Sequence, residues 1–154
     1  AGALLLFVLY ITLGFSCMAL VRELGLILFL YPLFTVWATD TGAYLIGRKL
    51  GKKKLWPQIS PNKTVEGFIG GIAFGLLIGV LFYKLHWISF STIWLSVLIS
   101  ITAQFGDLVQ SAFKRHYGVK DSGSILPGHG GILDRFDSLI YVMPIFYFIF
   151  TYLQ

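Results

Sequence analysis

Charge is what this chain has least of. Asp, Glu, Lys and Arg make up 12% of its 154 residues, whereas a soluble domain carries about 25%. That deficit excludes an ordinary soluble globular protein and places the chain in the membrane class. Cysteine is nearly absent too. Cys17 stands alone inside an apolar run, so an intrachain disulfide is excluded and the thiol reads as a small buried hydrophobe. No soluble domain, long linker, repeat or low-complexity tract is visible. The first apolar run has no basic region before it and no A-x-A-like site after it, which argues against a signal peptide. An initiator Met is also missing, so a fragment of a longer membrane protein is expected.

What is present is long apolar sequence. Residues 3–21, 67–83, 87–106 and 138–154 contain no Asp, Glu, Lys or Arg, and 24–47 is interrupted only by Asp40. A spanning helix needs roughly 17–25 mostly apolar residues. The expectation is therefore an all-α, polytopic integral membrane protein with about five transmembrane helices.

The cations are unevenly placed. Loop 48–64 holds Arg48, Lys49, Lys52, Lys53, Lys54 and Lys63 without an acid, and 114–137 holds Lys114, Arg115, Lys120 and Arg135. Only Arg22 and Lys84 lie elsewhere. Two spans separate these loops, so both face one side, and the positive-inside rule makes that side cytoplasmic. For Lys49 and Lys52 to Lys54 the expected role is topology and attraction to anionic headgroups. For Lys63, Lys114 and Lys120 the neighbouring residues argue for more.

Gly67, Gly71, Gly75 and Gly79 recur at four-residue spacing in the third span. On a helix they form one stripe without side chains, which favours backbone-to-backbone packing of a second helix; a groove for an acyl chain is the alternative.

Ionisable chemistry concentrates in a few segments. Asp107, Ser111 and Lys114 are spaced i, i+4, i+7 and share one helical face. Asp134 and Asp137 are three apart at the start of the last span. Acids there also suit the helix dipole, but they and Asp107 end the two spans joined by one loop. Hard oxygen ligands at such a place suit Mg²⁺, which binds through one or two carboxylates plus substrate phosphates. The loop Pro127-Gly-His-Gly-Gly131 permits close backbone approach to an anion, and His129 can hydrogen-bond phosphate. Lys120-Asp121 reads equally as a surface ion pair. Asp40 within its apolar run needs a partner, a metal or a water-filled cavity. In Ser60-Pro-Asn-Lys-Thr-Val-Glu-Gly67, capping explains Thr64 or Asn62, and Glu66 favours the first turn. Lys63 there opposes the dipole, and a bound phosphate would resolve the conflict.

The stretch from Ser111 to Ser138, with its Lys114-Arg115, Lys120-Asp121-Ser-Gly, Pro127-Gly-His-Gly-Gly131 and Asp134-Arg135-x-Asp137 elements, resembles the signature of the phosphatidate cytidylyltransferase (CDP-diacylglycerol synthase) family. Asp40-Thr-Gly-Ala-Tyr44, Gly47-Arg-x-x-Gly51, Ser60-Pro-Asn-Lys-Thr-x-Glu-Gly67 and Gly106-Asp107-Leu-x-x-Ser111 resemble its other motifs. The resemblance implies an integral membrane enzyme that condenses CTP with phosphatidic acid, releasing pyrophosphate and supplying phospholipid synthesis. It implies Mg²⁺, with a second cation such as K⁺, and a homodimer among membrane lipids; no nucleic acid partner is expected. It also implies that residues 1–154 are one transmembrane catalytic domain, the C-terminal part of a longer chain in a plasma or bacterial inner membrane.

On that resemblance Asp107, Lys114, Asp134 and Lys63 are the expected catalytic residues, and Asp107, Asp134 and Asp137 the metal ligands. Asp40, Lys63, Ser111, Lys114, Arg115, Lys120, Asp121, His129, Gly130, Gly131 and Arg135 are expected to bind substrate. A phosphate monoester is nucleophilic at neutral pH, so the lack of a Ser-His-Asp or Cys-His arrangement does not argue against an enzyme. A CTP-dependent polyprenol or phytol kinase is one alternative reading, and a membrane transporter or lipid-binding subunit is another. Transport would place ionisable residues near the midplane rather than at one boundary.

Overall fold

The computed structural model describes residues 2–118 and 133–152. The chain runs through α1 (Gly2–Leu24) and α2 (Leu26–Leu50), then a β-hairpin of β1 (Lys54–Trp56) and β2 (Ser60–Thr64). It continues through α3 (Val65–Lys84), a 3₁₀ turn at Phe90–Thr92, α4 (Ile93–His116) and α5 (Leu133–Tyr152). These five helices take up the five apolar runs. Among the described residues, Leu26–Leu50, Val65–Lys84 and Phe90–His116 are long and apolar enough to cross a membrane, and Phe136–Tyr152 is a shorter apolar helix. The all-α polytopic membrane architecture holds. The break between α1 and α2 falls on Gly25, whose φ of 153° suits glycine and few other residues.

The packing of α3 follows from its glycines. A Cβ on Gly67 would come within 2.8 Å of the Ala43 carbonyl oxygen on α2, and one on Gly71 within 3.0 Å of the Thr39 carbonyl oxygen. At Gly75 it would overlap Ser100 Oγ on α4, and at Gly79 it would approach Ser96 Oγ to 2.6 Å. The stripe therefore does what close helix packing requires: α3 wedges between α2 and α4 with no room for a side chain. Thr39 Oγ1 donates to Ser100 Oγ across that seam at 2.8 Å, so α2 and α4 are also joined directly.

The apolar core collects where α1, α2, α4 and α5 meet. Val21, Val36, Leu95, Leu139 and Met143 are buried there in one cluster with Tyr31, whose ring packs against Phe82 of α3 and Phe146 of α5. The Tyr31 hydroxyl donates to the Thr92 carbonyl at 3.1 Å, which satisfies the one polar atom of that side chain. Outward-facing positions such as Leu6, Leu13, Ile69, Leu77 and Phe148 are exposed, as expected of a surface solvated by lipid.

One element departs from the sequence expectation. Residues 48–64 read as a loop, whereas α2 continues to Leu50 and a hairpin fills most of the rest. Its strands are short, carry Lys54, Pro61 and Lys63, and are irregular between Lys54 and Trp56. They lack the alternating apolar pattern that announces a strand. Pro61 is tolerated because both strands are edges. Tertiary contacts hold the hairpin to α3. Val65 N donates to the Lys53 carbonyl at 2.9 Å, and the Glu66 carboxylate accepts from the backbone N–H groups of Lys52 and Lys53 at 3.0 and 3.2 Å. Glu66 thus ties the hairpin to the helix, which the dipole argument alone did not foresee.

Candidate active site

A cavity of about 660 Å³ opens where the C-terminal end of α2, the hairpin, the start of α3 and the last turns of α4 come together. Its walls come from motifs that are separate in sequence. Asp40, Tyr44, Gly47 and Arg48 come from α2, Lys54, Asn62 and Lys63 from the hairpin, Gly67 and Phe68 from α3, and Gln104 and Asp107 from α4. Thr64 shapes its edge. Its Oγ1 accepts from Gly67 N at 3.1 Å, the N-cap bond expected of Thr at this position.

The centre of the site is an ion pair. Lys63 Nζ lies 2.5 Å from Asp107 Oδ2, and both side chains are half-buried. The ammonium that opposed the dipole of α3 has therefore found a carboxylate partner inside the protein. Ser111 Oγ donates to the other carboxylate oxygen of Asp107 at 3.3 Å, as expected for these two members of the Asp107, Ser111, Lys114 face of α4. Asp40 lies within electrostatic range of Asp107, Asp137 and Lys63. Asp137 lies within range of Asp107 and Lys114. Five motif residues from three helices and the hairpin thus lie within one connected field. Asp137 is held locally: its Oδ1 accepts from Ser138 N at 2.7 Å, and its backbone carbonyl accepts from Tyr10 of α1 at 3.3 Å.

Of the other expected residues, Lys114 and Arg115 occupy the last turn of α4, beyond Asp107. Asp134 and Arg135 belong to the first turn of α5; their side chains fall outside what is described. Lys120, Asp121, His129, Gly130 and Gly131 lie outside the described residues. Among the described residues, which do not include the Asp134 side chain, no group of three or more His, Cys, Asp or Glu side chains closes around a metal position.

Several residues that line the site were missed or undervalued. Lys54, which sequence alone gives only a topological role, lines the cavity, as does Arg48, whose guanidinium donates to the Tyr44 hydroxyl at 3.1 Å. Gln104 went unnoticed because a lone amide in an apolar run carries no motif. Outside the cavity lining, Gln110 is buried with neither amide atom paired among the described residues, an arrangement costing about 1–3 kcal/mol per group when nothing satisfies it.

Comparison with known proteins places the chain among others. The model of a family described as the cytidylyltransferase family matches residues 1–153. The phosphatidate cytidylyltransferase of Staphylococcus haemolyticus (strain JCSC1435) is 53% identical over 150 residues, covering 94% of this chain and 57% of that protein. The phosphatidate cytidylyltransferase of Bacillus subtilis (strain 168) is 50% identical over 154 residues, covering 96% and 57%. That of Staphylococcus aureus (strain COL) is 51% identical over 150 residues, covering 94% and 57%. The chain spans just over half the length of the curated relatives it matches.

Proposed function

This chain belongs to the cytidylyltransferase family, and on that premise we propose that it carries the catalytic site of a phosphatidate cytidylyltransferase, joining CTP and phosphatidic acid into CDP-diacylglycerol and pyrophosphate. The observation that carries the proposal is the 660 Å³ cavity beside the Lys63–Asp107 pair, at one end of the membrane helices. One reactant is a soluble nucleotide and the other a lipid headgroup, so the reaction belongs at such a boundary.

The chemistry is in-line displacement. A phosphatidate oxygen attacks the α-phosphorus of CTP, a new P–O bond forms, and the bond to the β-phosphate oxygen breaks as pyrophosphate leaves. Both reactants are anionic, so cations must bring them together. Arg48, Lys54 and Lys63 line the cavity, and Lys114 stands within range of Asp137; in the proposal these side chains hold the phosphates. Lys63 is restrained by Asp107 and pre-positioned by β2, which lowers the entropic cost of clamping. No strong base is needed, because the attacking oxygen is already ionised.

The donor set fits a hard divalent cation. Asp107 and Asp137 offer carboxylate oxygens that feel each other's charge, and Asp134 shares the start of α5. In the proposal these three hold Mg²⁺, while Asp40 orients Lys63 or serves a second cation such as K⁺. An ion held there would supply positive charge to offset the charge developing on the leaving group. In the proposal the site faces the cytoplasm, a reading that the cation-rich hairpin supports through the positive-inside rule.

The test is product analysis with the protein in phosphatidate-containing vesicles supplied with CTP and Mg²⁺. The proposal expects pyrophosphate and a cytidylylated lipid in equal amounts. Release of CDP with phosphorylation of a lipid alcohol would instead identify a kinase, and no turnover would overturn the reading.

A further inference from the structure

Gln104 sits on α4 one turn before Asp107, about 4.5 Å deeper along the helix axis, and its side chain lines the cavity while being only 7% exposed. Its Nε2 donates to two backbone carbonyls, Phe68 O on α3 at 3.2 Å and Ser100 O on its own helix at 3.3 Å. Both partners are pure acceptors, so only the NH₂ end of the amide can face them and the amide orientation is chemically determined. Gly71 makes room for this arrangement, because a Cβ there would stand 3.1 Å from Nε2. The Oε1 is the atom left over. Among the described residues only Nε2 of this amide is hydrogen-bonded, and the side chain lines the cavity, so Oε1 is available to a ligand there.

Among the acceptors that line the cavity, which include the Asp40 and Asp107 carboxylates, Gln104 Oε1 is a neutral amide oxygen of fixed orientation, and Phe68, Arg48, Lys54 and Lys63 are among the other walls. The matching ligand has a flat apolar body with an N–H donor on it and anionic groups elsewhere. Phosphatidate fits poorly, since its esters and ionised phosphate offer acceptors only. Cytosine fits, because its exocyclic N4 is a donor, whereas uracil carries an acceptor oxygen at the same position. We infer that Gln104 Oε1 accepts a hydrogen bond from the 4-amino group of the cytosine base and is the residue by which the site distinguishes CTP from UTP. This rests on the cytidylyltransferase reading and adds the base-recognition residue to it.

The experiment compares wild type with Gln104→Met, which keeps length without an amide, and Gln104→Asn, which withdraws the carbonyl by one methylene. Each is assayed in phosphatidate vesicles with CTP, UTP, 2′-deoxy-CTP and the CTP analogue whose base lacks the 4-amino group. Wild type should prefer CTP over the 4-deamino analogue by about tenfold or more in kcat/KM, the worth of one good hydrogen bond. In Gln104→Met that ratio should fall to within about twofold, with the CTP KM raised and kcat little changed. A general packing defect would lower turnover of all nucleotides and leave the ratio intact. The inference is overturned if the ratio survives in Gln104→Met, or if wild type uses CTP and the 4-deamino analogue equally well, a result that needs no variant to fold. It is also overturned if 2′-deoxy-CTP is the substrate that loses its penalty in the variants, since the donor would then be a ribose hydroxyl. Failure of wild type to turn over CTP with phosphatidate would instead sink the cytidylyltransferase reading itself.

Discussion

Lys63 at the end of the hairpin and Asp107 on α4 form an ion pair that joins two motifs lying on either side of the whole of α3. The pair closes one wall of the cavity and brings a cation and a carboxylate to the place where the proposed phosphates meet. Because the glycine stripe lets α3 lie flush against α2 and α4, the hairpin at its N-terminus reaches the end of α4 without a long connection.

On the proposed function, Lys63→Ala and Asp107→Asn should each reduce cytidylyl transfer by about 100-fold or more, the usual scale for losing an electrostatic stabiliser of a transferring phosphoryl group. The two groups act as a unit, so the double variant should cost far less than the product of the singles. Steady-state rates, alongside melting temperatures that stay close to wild type, check this. Additive losses would show that the pair does not function together.

The metal assignment predicts that EDTA abolishes turnover and added Mg²⁺ restores it. Binding of Mn²⁺, followed by its paramagnetic resonance signal, should weaken by about tenfold or more in Asp107→Asn and in Asp137→Asn. Unchanged Mn²⁺ affinity in both variants would remove these carboxylates from the metal site.

Gly75→Ala should destabilise the bundle by about 1–3 kcal/mol, the range for overpacking, because the new methyl would overlap Ser100 Oγ and lie 2.9 Å from Thr39 Oγ1. Adding Ser100→Ala removes the nearest obstacle and should recover part of the loss. Thermal unfolding in a mild detergent is the measurement, and a double variant no better than Gly75→Ala would mean the strain lies elsewhere.

Thr64→Ala should cost about 1 kcal/mol through loss of the α3 cap, and Thr64→Ser should retain most of the stability. The readout is hydrogen exchange at Gly67, whose N–H is bonded to Thr64 Oγ1.

Glu66→Ala should free the backbone N–H groups of Lys52 and Lys53. Their exchange should accelerate while that of the middle of α3 does not change. Equal protection in the variant would show that the hairpin holds itself.

Much of this architecture was legible from charge and spacing. The five apolar runs became five helices, since an uncharged segment of that length in lipid must satisfy its own backbone hydrogen bonds. The spacing of Asp107 and Ser111 placed them on one face, and helical geometry alone guarantees that. The glycine period announced close packing correctly. The hairpin was invisible because its pairing depends on Glu66 and Val65, on a helix, rather than on any pattern within its strands. Lys54 and Gln104 were overlooked because a lysine in a basic loop and an amide in an apolar run each have an ordinary explanation, and only position in space distinguishes them.

By itself, then, the sequence determined the solvent this protein folds in, the helices it forms and the chemical types its site can use, because hydrophobic length and helical period are local properties. The tertiary structure decided which of those groups meet. Lys63 faces Asp107, and Gln104 is turned with its carbonyl free, because glycines in α3 let three helices approach closely enough for side chains distant in sequence to share one cavity.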